Sequence, residues 1–387
     1  MRGLAIEPTS DLEAAETLLR DAYELALHAG ARDVALRAAQ SIAGAIVRGT
    51  GRLEAAKAFV DIALGLSQNL NDEREAASLR QLGSVLQMSA RYEESVEALT
   101  EAIELYAQHL PANSPRIANA RGSLGVSHVW LGDLGAAEVE LTRALAALRE
   151  TLGPSHPQTL PGLDALGLLK TKLGHPTEGE RLHREAIARR IALFGDRHAG
   201  HSESFTNLGV ALNRQARYRD AERYFRKALD LDRSLRGTVH PSVGIDLVDI
   251  GAARLEQGDR SGAQRYLTQA LTLFERHGEL YEAMALGAAH LSTVLAQGGR
   301  LQEAEQKAQR ATSICEAITC EPEVLARVRW AAARVGSRRH GFDDTQRQLA
   351  KLAHQGFEAE HLSREAAQVT AWLQRRESGS QRRKTGD

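Results

Sequence analysis

The sequence predicts an all-α solenoid of stacked helical hairpins, and three observations along its 387 residues carry that prediction. An alanine recurs at Ala63, Ala102, Ala144, Ala186, Ala228, Ala270 and Ala311, at intervals of 39, then 42 four times over, then 41. A second small residue leads each by seven positions, at Ala56, Ser95, Ala137, Gly179, Ala221, Ala263 and Ala304. A Leu-Gly-like pair leads by twenty, as in Leu82-Gly83, Leu124-Gly125, Leu166-Gly167, Leu208-Gly209 and Ile250-Gly251. The period alone is shared with armadillo or HEAT helices and with propeller blades. The interior of the unit decides between them. From Phe205 to Leu229, apolar or small residues recur at three- and four-residue spacing on both sides of a short polar break. That pattern is two amphipathic helices and a tight turn, with no period-two alternation for strands.

The elements follow in order. Met1–Ser10 reads as an extension. Asp11–Ala29 has the pattern of a second helix (Ala14-Ala15, Leu18-Leu19, Ala22-Tyr23) without a first helix before it. Hairpins then run through the chain, most regular over 76–320, with Gly132 and Gly298-Gly299 at turns inside units. Pro322 suits a first helical position. Glu323–Arg338 and Phe342–His354 form a degenerate hairpin, and Ser363–Arg375 a last helix. The solenoid therefore spans 11–375. The remainder, 376–387, is polar and rich in Gly, Ser and Arg, and is expected to be disordered.

The unit Leu-Gly, Tyr218, Ala221, Phe225, Ala228 resembles the tetratricopeptide repeat, here with 42 residues rather than 34. The longer unit is similar to the kinesin-light-chain-like subclass, whose inter-repeat phrase matches Leu152-Gly153-Pro154-Ser155-His156-Pro157-Gln158-Thr159. Weaker copies lie at Leu235–Pro241 and Phe194–Ala199. The resemblance implies a right-handed superhelix whose first helices line a concave face. The order of units, closing on Trp372-Leu373, also resembles the repeat arrays that follow the catalytic domain of large bacterial serine/threonine kinases.

Composition narrows the function. The net charge is −1, with charges interleaved and no basic stripe of the kind nucleic acid needs. Only seven of the 49 basic residues are lysines. Met1–Ser10 lacks the apolar core of a secretory signal, and no apolar stretch is long enough for a membrane span. The two cysteines, Cys315 and Cys320, are too few for a disulfide framework, and on one helix they would point about 140° apart. A reduced, cytoplasmic protein is expected.

Catalytic constellations are not found: no serine elbow, Walker lysine loop, His-Glu-x-x-His or kinase motif set. His156, His198 and His240 repeat at 42 residues, too far apart in a stack to share a metal, and read as residues that end one hairpin and start the next. His198, His201 and Asp196 form a local trio without a fourth ligand. No metal or cofactor is expected.

The expected site is the concave groove, formed by first-helix positions around each Leu-Gly pair. Met88, Val126, Val129, Trp130 and Leu168 give it an apolar first half; Asn207, Asn213 and Arg214 represent a polar second half. Trp130 is singled out because Trp is enriched at binding hot spots. An Asn before Leu-Gly, which in kinesin-light-chain-like arrays contacts a peptide main chain, is matched by Asn207 alone in a column of Gln81, Ser123, Ala165, Asp249 and His290. Three functions are compatible: a non-catalytic scaffold binding a protein or peptide segment, the docking region of a serine/threonine kinase, or a peptide-sensing regulator.

Overall fold

The computed structural model describes residues 8–385 apart from 50–51, 69–71, 199 and 279–280; side chains of 8–15, 47–49 and 379–385 are outside that description, as is most of the expected 1–10 extension. The described residues form eighteen helices and no strand. A lone helix α1 (Pro8–His28) is followed by eight hairpins: α2/α3 (Arg32–Gly49, Leu53–Ser67), α4/α5 (Glu73–Met88, Tyr92–His109), α6/α7 (Pro115–Leu131, Leu134–Leu152) and α8/α9 (Thr159–Lys172, Pro176–Phe194) in the first half. The second half holds α10/α11 (Gly200–Arg214, Tyr218–Arg236), α12/α13 (Pro241–Glu256, Arg260–His277), α14/α15 (Glu282–Gln297, Leu301–Ala317) and α16/α17 (Pro322–Arg339, Asp344–Ala359). Another lone helix, α18 (Ser363–Thr385), ends the chain.

All seven periodic alanines are buried, and Ala353 on α17 extends the column to an eighth hairpin. The Leu-Gly column is explained by what presses into it. A Cβ on Gly83 would stand 2.5 Å from Leu99, on Gly125 2.6 Å from Leu141, and on Gly251 2.6 Å from Leu267; at Gly209 it would meet the Phe225 ring. Each plugging residue lies sixteen positions downstream, on the second helix of the same hairpin. Where that residue shrinks to Ala308, the glycine becomes Ser292. Close backbone approach therefore decides where glycine is needed.

Two further columns run in step. The turn inside each of the seven hairpins from α4/α5 to α16/α17 carries one residue in the left-handed region: Ala90, Gly132, Gly174, Ala216, Gly258, Gly299 and Gly341. At entry to successive first helices, Asp72, Ser114, His156, His198 and His240 each accept a backbone N–H from two residues on. His240 thus caps α12 through Nδ1, as side-chain acceptors do at helix starts, and His156 and His198 hold the chain through the same atom just ahead of α8 and at the first residue of α10.

Two expectations are corrected. Cys315 and Cys320 are joined in a disulfide with Cα atoms 5.2 Å apart. The angular argument fails because α15 ends at Ala317 and the chain turns before Cys320. The segment from residue 376 is helical to Thr385 rather than irregular, since its Gln, Arg and Lys are sound helix formers and only one glycine interrupts them.

Successive first helices touch one another (α2–α4, α4–α6, α6–α8, α8–α10, α12–α14, α14–α16), whereas successive second helices make no more than marginal contact. First helices are therefore the inner layer of a curved stack. The curvature brings distant parts together: α1 touches α11, and α16 and α17 reach the turn ends of α8 and α10.

Candidate functional site: an open groove and the ionic closure beside it

The inner layer is open in its first half and closed in its second. The open part is a groove of about 880 Å³. One face of each first helix lines it at three- and four-residue spacing: Arg37 and Gln40 on α2, Arg74, Ala77 and Arg80 on α4, Arg116, Asn119, Ser123 and Val126 on α6, and Pro161 and Ala165 on α8. Gln158, the acidic Asp33, Glu73 and Glu203, and Tyr106, Ala144 and Leu148 of the second helices also line it. Some of its charges are spent locally. Arg74 binds Asp33 and Asp72, each at 2.5 Å, and Arg116 pairs with Glu73. Arg37 and Arg80 have no carboxylate within ion-pair distance among the described residues; Arg37 donates to the Asp33 carbonyl at 3.3 Å and Arg80 faces the Tyr106 hydroxyl. Gln81 and Gln87 tie neighbouring first helices together, donating to the carbonyls of Gln40 (2.7 Å) and Ser123 (2.6 Å).

The closure begins at the C-terminal ends of α8 and α10. Lys172, on the last turn of α8, inserts its ammonium between Glu321 and Glu360, the latter at 3.2 Å; the three side chains are 4%, 7% and 6% exposed. Glu321 occupies the helix-capping position of α16 but turns its carboxylate to Lys172 instead. Arg214 pairs with Glu323 and donates to the Glu360 carbonyl at 3.3 Å. Arg327 holds Glu323 from the other side at 2.8 Å. Burial by itself would raise Glu323, but Arg214, Arg327 and Lys172 outweigh it and hold that carboxyl well below the usual range. Burial, reinforced by Glu323, pushes Asp249 up to about 7. Burial likewise lifts Glu282 to about 7 against the opposing pull of Lys172, and burial beside Arg327 drives His290 down to about 3. Glu321, Glu323 and Glu360 are close enough to suit a cation, and Lys172 supplies it.

These positions redistribute the residues expected from sequence. Val126 does line the groove. Val129 is fully buried and Leu168 is 9% exposed, both packed with Ala137, Leu141 and Leu169, so neither faces the groove. Trp130 is half-buried, stacked on Tyr92 with centroids 6.2 Å apart, and lies 5.1 Å from the Lys172 ammonium. Arg214 is consumed by Glu323 rather than offered to a ligand. Asn213 is half-buried with its Oδ1 unbonded among the described residues. Asn207 is half-buried on α10, and Met88, at the end of α4, is 49% exposed. Beyond the Leu-Gly pair, Val126 lines the groove while Val129 and Leu168 point into core and Trp130 and Arg214 toward the closure; most of the groove wall comes from positions before the pair. Arg37, Arg116 and Asn119 were missed for that reason, whereas Arg80, close to its pair, was read as groove-facing. Their spacing from each pair is visible in the sequence, but the closure that separates the two halves is not.

Models of the tetratricopeptide repeat match residues 76–116, 116–192, 163–234 and 204–276, together just over half of the chain. The chain belongs to the tetratricopeptide repeat family. Solved structures agree on the fold of these repeats. A Rap protein complexed with competence and sporulation factor is 12% identical, with 89% of this chain and 98% of that one covered and a TM-score of 0.60. The apo form of RapI is 11% identical, covering 74% and 98%, with a TM-score of 0.54. BtubC (BKLC) from P. vanneervenii is 18% identical, covering 59% and 94%, with a TM-score of 0.46. No curated protein matches the sequence.

Proposed function

We propose that this tetratricopeptide array is a non-catalytic scaffold that takes an extended, acidic segment of a partner protein along the open groove. The observation that carries this reading is the groove wall itself. Arg37 and Arg80 lack a carboxylate partner there, and amides line the wall from Gln40 on α2 through Asn119 on α6, two repeats on, to Gln158 just before α8. An extended chain offers main-chain donors and acceptors to amides and carboxylates to arginines. Arg recognises carboxylates bidentately, which favours acidic side chains over a bare apolar ligand. The Rap protein solved with competence and sporulation factor has the same fold, which makes a peptide-sensing role a second reading of the same groove.

Selection of random twelve-residue peptides on the full chain tests the proposal. Selected peptides should be enriched in Asp and Glu, and Arg37→Glu/Arg80→Glu should weaken them at least tenfold while the helical circular-dichroism signal stays intact. Neutral or basic selected peptides, or affinities indifferent to the double reversal, would refute it.

A further inference from the structure

A second cavity, about 1050 Å³ in volume and sharing no lining residue with the groove, lies between α1 and the edge formed by α11, α12 and α13. That exceeds the roughly 300–1,000 Å³ of small-ligand pockets. Its charge is one-sided. Arg52, Arg233, Arg236 and Arg276 line it, against Glu16 as the lining carboxylate among the described residues. Arg236 leans on Asp232 at 3.6 Å and Arg52 on Glu16 at 3.6 Å, but Arg233 and Arg276 form no ion pair among the described residues. The same edge exposes apolar surface. Val239, in the cavity wall, is 66% exposed, and Ile191 and Phe194, one repeat before Arg233 and Arg236, are exposed as well. Contiguous exposed apolar residues rimmed by charge mark interaction sites.

The shape points to a helix. Gln269, Leu273 and Arg276 on α13 form one accessible ridge at helical spacing, and the buried Val243 and Leu247 of α12 form the groove beside it. Such a groove accepts a ridge of a third helix. We infer that this cavity docks an amphipathic helix of another protein, its apolar stripe on Val239 and Leu273 and its acidic face on Arg233 and Arg276. This site is separate from the concave groove and does not depend on the peptide-scaffold reading.

The test uses a fluorescein-labelled sixteen-residue helical peptide with Leu at one-turn spacing and Glu elsewhere, and a counterpart with Lys replacing every Glu. Fluorescence anisotropy on the full chain should show saturable binding of the Glu peptide only. Arg233→Glu/Arg276→Glu should weaken it at least tenfold, Val239→Asp severalfold, and raising salt from about 50 to 200 mM severalfold, as exposed charge pairs are screened. The groove variant Arg37→Glu/Arg80→Glu should leave it unchanged, and hydrogen exchange should slow at residues 233–247 and 268–277. Absence of saturable binding, equal binding by Arg233→Glu/Arg276→Glu, or a loss that follows the groove variant would overturn the inference.

Discussion

Replacing Lys172 with alanine should open the closure of the superhelix without unfolding the stack. The ammonium sits between Glu321 and Glu360, with each of the three side chains under a tenth exposed. Removing it leaves two buried carboxylates facing one another without their counter-charge. Breaking a buried ion pair from one side costs about 3–5 kcal/mol. At about 1.4 kcal/mol per factor of ten, the opening equilibrium of α16 and α17 should rise by roughly two to three and a half orders of magnitude. Stability in a repeat array is local to neighbouring units, so α2–α7 should be little affected. Native-state hydrogen exchange, read helix by helix, reports this directly. Lys170→Ala is the control: its pair with Glu138, at 3.1 Å, is open to solvent and should contribute less than about 1 kcal/mol. A compensated variant, Lys172→Met with Glu321→Gln and Glu360→Gln, should recover much of the loss because no charge is stranded. Exchange in α16 and α17 no faster in Lys172→Ala than in Lys170→Ala would refute the ionic account of the closure.

Other substitutions test the packing columns and the closure's titration. Ala216, in the left-handed region at φ 58°, should be improved by Ala216→Gly by roughly 0.5–1 kcal/mol, relief of strain exceeding the entropy gained by the unfolded chain; a lower urea midpoint would count against it. Gly209→Ala should cost about 1–3 kcal/mol by driving a methyl into Phe225, and Phe225→Ala in that background should cost less than it does alone. Asp249 and Glu282 have folded values near 7, above their ordinary 3.8 and 4.5, so the folded chain holds protons that the unfolded chain has released. Their favourable contribution is full below about pH 4 and is lost as pH rises through 7. Asp249→Asn and Glu282→Gln should therefore raise the melting temperature at pH 8 and leave it nearly unchanged at pH 4; the opposite order would show that burial does not dominate these sites.

The fold was legible because its determinants are local and repeated. Gly209 and Phe225 meet within one hairpin, and the same contact recurs every 42 residues, as does the burial of the alanine column at Ala186. The histidine series was legible as a set of hairpin boundaries, though its hold on the helix starts depends on which ring nitrogen faces the backbone. The site was only partly legible. Trp130, Leu168 and Arg214 satisfy the local pattern of groove positions. Their surroundings are set by α5, α7 and α16, and for Arg214 the decisive partner, Glu323, lies 109 residues away. Such contacts leave no period in the sequence. Cys315 and Cys320 show the same limit at short range, since their pairing depends on where α15 stops.

Photo-crosslinking from two single positions tests the central claim most directly. Benzoylphenylalanine in place of Asn119 sits in the wall of the open groove, and in place of Arg143 it sits on the outer helix α7, where that side chain is 65% exposed. A peptide selected for binding to the full chain should crosslink from position 119 and not from 143, and excess unlabelled peptide should abolish the product. Crosslinking from position 143 with none from 119 would place the binding surface on the outer layer and contradict the groove.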